Sequence, residues 1–301
     1  MTGRVTVGMP CYNSERWIGA AIESVLVQSH SDLLLVISDN ASTDSTWEIV
    51  NDYARKDRRI RVSRNDRNRG AAANFNRVFE QSDTPYFKWA SSNDVCAPTF
   101  LERCLDVLSS ESDSVLACPR ARMFEEDVAL GVDYPHGLDL THPNACERFL
   151  GAMAIRRNVT MNGVVRSAAL RRTELIRPYW GSDLVMIAAL ALQGRIREWP
   201  EPLLFVRDTP ATSTARMSAA EAREHHGPAM ANRMTNQTVK LWRGYGRAVA
   251  AAGLTPGDRL RLSFHLVRMA RWSSGAMLRE AADAIRQSLS SRPVSSSADH
   301  R

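Results

Sequence analysis

The sequence predicts an α/β fold, a mostly parallel sheet flanked by helices with a helical C-terminal extension. Three observations lead there. Short β-branched or wholly apolar runs alternate with stretches of helical spacing through the first half of the chain. Polar clusters close those runs one after another. Beyond Thr209 the strand-like runs stop and only helical spacing remains.

Arg4 to Met9, RVTVGM, reads as a first strand closed by Pro10. From Arg16 to Gln28, apolar residues at Trp17, Ile18, Ala21, Ile22, Val25 and Leu26 trace one face of a helix. Leu33 to Ser38 is apolar throughout, as a parallel strand covered on both faces should be. The turn Asp39 to Asp44 ends in good capping residues, so the spacing predicts a helix from about Ser45 to Arg55. Ile60 to Ser63 is the next strand, and after a turn at Gly70 comes another helix. PYFKWA, a helix over Pro98 to Leu108 and the strand SVLACP complete the regular part.

Met123 to Asn144 reads as a long excursion rich in Asp, Pro, His and Gly. MNGVVRS is a strand, followed by helices over Ala168 to Leu175 and Leu184 to Leu192, then strand PLLFVR. Helical spacing then covers Ala219 to Gly244, Gly246 to Ala252 and Leu260 to Leu289. The expected division is residues 1–210 as the sheet-based unit, 211–290 as the helical extension and 291–301 as a Ser-rich disordered tail.

Apolar residues at 44% and charged residues at 24% describe an ordinary globular protein of 301 residues. The net charge of +6 comes from 39 Lys and Arg, nearly all Arg, against 33 Asp and Glu. That balance suits a phosphorylated ligand or an anionic surface. The arginines are scattered without interleaved aromatics, which gives nucleic acid no support. Five cysteines lie without zinc spacing or a C-x-x-C pair, as expected of reduced thiols in the cytoplasm. No secretion signal opens the chain and no apolar run reaches the ~18 residues needed to cross a bilayer. The N-x-S/T sequons at Asn40, Asn158 and Asn236 are then chance.

In parallel α/β sheets ligands bind beyond the C-terminal strand ends. Here those ends carry Pro10-Cys11-Tyr12-Asn13, Asp39-Asn40, Asn65 to Gly70 and Ser91 to Asp94, four polar clusters on one edge. A carboxylate there can accept from a base N–H, and an aromatic offers a stacking face.

VTVGMPCYNSERWIGAAIESVLVQS, VISDNASTDST, NDRNRGAAANFNRVF and YFKWASSNDVC, in that order, resemble the family 2 glycosyltransferases of the GT-A fold. The resemblance implies transfer of a sugar from a UDP-, dTDP- or GDP-linked donor to an acceptor hydroxyl, metal-assisted and inverting. It implies that Pro10, Tyr12 and Asn13 lie against the nucleotide base, that Asp39 contacts the base and Asp44 lies nearby, and that Asn68, Arg69 and Gly70 close the other side.

Where the family carries a string of carboxylates, this chain has Ser91-Ser92-Asn93-Asp94. The resemblance makes Asp94 the ligand of Mg²⁺ or Mn²⁺ and leaves Asn93 to a ribose hydroxyl. One carboxylate suffices in principle, since a hard cation takes oxygen ligands and phosphates and water complete its shell. The resemblance also makes Asp183, in PYWGSDLVMIAAL, the general base, with Asp208 a weaker candidate. Each carboxylate also has a structural reading: Asp39, Asp44 and Asp94 as caps, Asp183 as a first-turn acid favoured by the helix dipole. Arg207 and Arg216 carry no assigned role.

The C-terminal segment places Leu260, Phe264, Val267 and Met269 among Arg259, Arg261, Arg268 and Arg271. Such a helix either packs its apolar face on its own domain or lies on the inner face of a membrane as a peripheral contact. Two other functions stay open: a weakened nucleotide-sugar-binding partner or sensor, and a nucleotidyl transferase, which would favour the Gly-rich basic loop that MPCYNSERW lacks.

Overall fold

The computed structural model describes residues 3–135, 137–155, 159–209 and 236–280. Nine strands form one sheet: β1 (Val5–Cys11), β2 (Leu33–Asp39), β3 (Ile60–Arg64), β4 (Tyr86–Trp89), β5 (Val95–Cys96), β6 (Ser114–Phe124), β7 (Val132–Asp133), β8 (Val164–Arg166) and β9 (Arg195–Arg207). Their order is β3-β2-β1-β4-β8-β6-β9-β5, with β7 added against β6. The long ladders are parallel: β1 with β2 and β4, β2 with β3, and β6 with β9. The antiparallel ones are short, β8 between β4 and β6 and β5 on β9.

Period-2 alternation divides the core between the two faces. On β2, Leu33, Leu35 and Ile37 face helices α1 (Ile18–Leu26), α2 (Thr46–Lys56) and α4 (Phe100–Ser110). Leu34 and Val36 face the other side. That side is covered by α3 (Ala71–Glu80), α5 (Ala145–Met153), α6 (Ser167–Leu170) and α7 (Ser182–Gln193). Helices α8 (Gln237–Ala251) and α9 (Pro256–Trp272) extend the same cluster with Tyr245, Val249, Leu262 and Leu266.

Phe79, Phe87 and Trp89 stack edge to face beneath β1, with the Phe79–Phe87 centroids 4.9 Å apart and Phe87–Trp89 5.0 Å apart. Gly8 makes room for them, since a Cβ there would lie 2.6 Å from Phe87 and 2.7 Å from Val78. Gly8→Ala is therefore expected to cost roughly 1–3 kcal/mol through overpacking. A thermal unfolding midpoint equal to that of the parent would contradict this packing.

Several expected elements change on inspection. The segment after Met123 is less of an excursion than expected, because β6 continues to Phe124 and β7 folds back on it. β5 and α5 were not anticipated: one is too short to show periodicity, the other sits where the polar run masks its start. The helix expected over Ala168 to Leu175 closes after Leu170, and Leu175 takes a positive φ of 55°. The last strand begins at Arg195, seven residues before the expected Pro202.

The break expected between Gly244 and Gly246 does not occur, and α8 runs through both. Gly244 is there for close approach, since a Cβ would meet the Tyr179 hydroxyl at 2.3 Å. The final helix starts at Pro256, turns at Ser273 and resumes over 274–280. The helical spacing expected over 219–235 and 281–289, the tail 291–301, Arg216 and the Asn158 sequon lie outside the described residues.

Candidate active site at the strand ends

Parallel β1, β2, β3 and β4 end on one edge of the sheet, and each is followed by one of the polar clusters. β1 runs through Pro10, opposite Ser38, and ends one residue later at Cys11, opposite Asp39, past the closure at Pro10 that the sequence predicts. The loop after it holds Asn13 with a φ of 46°, a conformation asparagine tolerates better than most residues. The Asn13 amide donates to the Ser42 hydroxyl at 2.9 Å, and the Asn13 side chain accepts from the Thr43 amide at 2.9 Å. The loops after β1 and β2 are thereby fastened to each other, with Tyr12 half-buried between them.

Asp39, at the end of β2, is fully covered. Its Oδ2 pairs with Arg64 Nε at 2.9 Å, and its oxygens accept from the amide and hydroxyl of Ser42. A carboxylate has about four acceptor positions. These donors leave room for another.

Asp44 spends one oxygen on the Glu15 amide and the other on the Thr46 amide, both at 3.0 Å. Partial burial pushes its carboxyl up, but hydrogen bonds from Thr46 and from the Glu15 and Thr46 amides outweigh this and hold it below the usual range. Its position is that of a cap for α2, with Glu15 reciprocating on the Ser45 amide at 2.9 Å.

Four asparagines tie the strand ends together: Asn40, Asn65 and Asn68 stand in the polar clusters that the sequence put on this edge, and Asn74 is the one that sequence reasoning missed. Asn40 donates to Asn68 at 2.9 Å and accepts from Asn65 at 2.8 Å and from the Arg69 amide at 3.0 Å. Asn74, on the buried face of α3, donates to the Ser38 and Cys11 carbonyls and accepts from the Ser38 hydroxyl at 2.7 Å. The signal available was an asparagine one helical turn before buried Val78, in a position that otherwise calls for an apolar side chain. Asn68 also caps the turn by accepting from the Gly70 amide at 2.8 Å, and Gly70 has a φ of 84°. The Arg69 guanidinium turns outward to Asp66.

Beyond β4, Ser92 meets Ser14 of the β1 loop, hydroxyl to hydroxyl at 2.8 Å. Asn93 is half-buried, and Asp94 is turned into the protein at 8% exposure. The Arg207 amide donates to Asp94 Oδ1 at 2.9 Å, while its guanidinium donates to the Asn93 carbonyl at 3.2 Å. That guanidinium is buried over the rings of Trp17 and Phe124, 4.0 and 4.4 Å from their centroids. Arg207, to which the sequence assigned no role, thus holds the Asn93-Asp94 loop in place.

Burial pushes the Asp94 carboxyl up to about 6, against the lowering effects of the Arg207 amide, Ser91 and the ammonium of buried Lys88. A folded-state value above the unfolded one means that the stability this group contributes is complete below about pH 4 and lost as pH rises through about 6. Asp94→Asn, measured without divalent cation, is therefore expected to be more stable than the parent at pH 8 by roughly 3 kcal/mol and no different at pH 4. Unfolding midpoints that differ equally at both pH values would contradict this.

Whether a divalent cation fits here turns on the donor set. Ser91, Ser92, Asn93 and Asp94 offer oxygen donors only, which suits Mg²⁺ or Mn²⁺. Asp94 is a carboxylate whose burial a cation would offset. Among the described residues no group of three Asp, Glu, His or Cys side chains assembles. The set fits a cation whose remaining ligands are phosphate and water, not one held by protein alone.

Asp183 stands in the first turn of α7, after Gly181 with a φ of 78°. β9 starts beside Ser114 and runs parallel to β6, so α7, which leads down into it, begins on the edge where β1 to β4 end. Asp183 therefore shares the edge of Asp39 and Asp94. It is close enough to Tyr245 that its charge adds to burial in pushing that phenol up. Asp208 follows β9 and donates its amide to the Phe124 carbonyl at 2.9 Å.

Comparison with known proteins bears on the family and the fold. An Escherichia coli protein named UDP-Glc:alpha-D-GlcNAc-diphosphoundecaprenol beta-1,3-glucosyltransferase WfaP is 30% identical over 107 residues, 36% of this chain and 42% of its own length. The chain spans under half the length of the first curated relatives it matches. Among solved structures, S. aureus TarS in complex with UDP superposes with a TM-score of 0.62 at 16% identity, over 85% of this chain and 68% of that one. Mannosyltransferase PcManGT from Pyrobaculum calidifontis, in complex with GDP-Man and Mn²⁺, gives 0.53 at 14% identity over 95% and 88%. Both likenesses show a shared GT-A-type fold. The model of glycosyl transferase family 2 matches residues 6–177, more than half of the sequence, and the chain belongs to that family.

Proposed function

We propose that this protein transfers a hexosyl or deoxyhexosyl group from a nucleoside-diphosphate sugar to an acceptor hydroxyl, with inversion at the anomeric carbon. The observation that carries the reading is the convergence of the base-side loops, the Ser91 to Asp94 loop and Asp183 on one sheet edge. The names of the relatives support a UDP- or GDP-linked donor, and a dTDP-linked one would present the same imide edge as UDP.

In this reading Pro10, Tyr12 and Asn13 flank the base on one side and Asn68 and Arg69 on the other. Asp39 accepts from the base. Asp44 shapes the loop between them. Asn93 meets a ribose hydroxyl. A divalent ion bound with the diphosphate would be held by Asp94 and would offset charge on the leaving group.

Asp183 takes the proton from the acceptor hydroxyl as its oxygen attacks the anomeric carbon. The bond from that carbon to the diphosphate breaks, and its electron pair leaves with the diphosphate. Residues 1–210 form the catalytic unit and the C-terminal helices shape the acceptor side. Five free thiols support a reducing compartment, the cytoplasm. The loss of carboxylates at Ser91 and Asn93 favours one rival, a nucleotide-sugar-binding partner without turnover.

The test is release of nucleoside diphosphate from UDP-, dTDP- and GDP-sugars in the presence of candidate hydroxyl acceptors. Acceptor-dependent release from one donor class supports transfer. Tight donor binding with no release under any acceptor supports the rival.

A further inference from the structure

We propose that the outward face of α9 docks on an anionic lipid surface. Leu262 and Leu266 turn into the core, and the opposite side of the helix is apolar as well. Leu260, Phe264 and Val267 follow one another at i, i+4 and i+7 and are 72%, 70% and 59% exposed. Arg271 continues the same line, with Arg268 beside it and Trp272, 74% exposed, at its end, while Arg261 turns to Glu147. The Arg268 guanidinium lies 5.6 Å from the Trp272 ring centroid. Among the described residues no helix is long and apolar enough to cross a membrane, so such a face would lie on the surface.

Charge selects the partner. From Pro256 to Glu280 there are five arginines and two acids. Both acids are turned to the protein: Asp258 accepts from the Thr255 hydroxyl at 2.8 Å, and Glu280 accepts from the Thr238 amide and hydroxyl at 3.0 and 2.6 Å. An apolar row bordered by arginine and ended by tryptophan matches an interface where acyl chains meet anionic headgroups.

The position also matters. The Glu280 contact returns this segment to the start of α8, and Gln237 there accepts from the Trp180 amide at 3.0 Å, three residues before Asp183. The segment that follows the face is thereby tied, through the start of α8, to the turn that leads to Asp183. The use of the face in catalysis, presenting an acceptor borne by a lipid, rests on the transferase reading, but lipid docking itself is measured without turnover.

The experiment is sedimentation of the full-length protein with vesicles of phosphatidylcholine alone or with phosphatidylglycerol. Leu260→Ser/Phe264→Ser and Arg268→Glu/Arg271→Glu are run beside it. Partition onto the phosphatidylglycerol vesicles, reduced about tenfold or more by each double variant, is expected. Absence of binding, equal binding to both vesicles, or binding unaffected by either variant would overturn the proposal. So would a concentration-dependent dimer that Leu260→Ser/Phe264→Ser disperses, which would assign the face to a second copy. None of these outcomes bears on sugar transfer.

Discussion

Asp183→Asn is expected to lower kcat by about a thousandfold while leaving donor affinity within about twofold. A general base contributes on the order of 10² to 10⁴ to such a step, and asparagine cannot accept the acceptor's proton. The isostere keeps the shape of the first turn of α7, where Asp183 follows left-handed Gly181 and buried Ser182. If Asp183 served only the helix dipole, the substitution would cost a few tenths of a kcal/mol of stability and nothing in kcat. Initial-rate kinetics separate the two roles, since a structural acid moves the melting point and a base moves kcat.

Asp39→Ala has the second large effect, and it falls on stability and binding together. The fully covered carboxylate accepts from Arg64 and from the Ser42 amide and hydroxyl. Deleting it strands these donors at a cost of roughly 2–4 kcal/mol, discounted because Arg64 is 38% exposed and can rotate to water. The midpoint of unfolding should fall by roughly 5–10 °C. Donor binding should be lost even well below that midpoint. Asp39→Asn keeps an acceptor for Ser42, so it should retain most of the stability and isolate the effect on the nucleotide.

Much of the fold was legible because its cause is local. The apolar run Leu33 to Ile37 reads as a strand covered on both faces, and the spacing of α1, α2 and α4 marks their positions within a few residues. What escaped is what depends on partners distant in sequence. β5 exists because Val95 and Cys96 pair with Phe205 and Leu204. α8 survives two glycines because Tyr179 demands the space at Gly244.

The site divides in the same way. Carboxylates at strand ends can be read one by one, so Asp39 and Asp94 stood out. Their environments could not be read: that Arg64 covers one and Arg207 holds the loop of the other follows from the sheet order. The resemblance placed Asp44 with the nucleotide, and the structure shows one of its oxygens on the Thr46 amide that starts α2 and the other on the Glu15 amide of the β1 loop. Asn74 reads as an ordinary helix residue, and the bonds that join it to Asn65, and Asn65 to Asn40, exist only once the strands are brought side by side.

The most direct test of the central claim is calorimetric titration of the purified protein with UDP, dTDP and GDP, each with and without Mn²⁺, on the parent and on Asp39→Asn. One nucleotide should bind best, tighter with the metal, and Asp39→Asn should weaken it about tenfold or more, the worth of one hydrogen bond to a charged group. Binding of none of the three, or binding indifferent to Asp39, would contradict a nucleotide-sugar site at this edge.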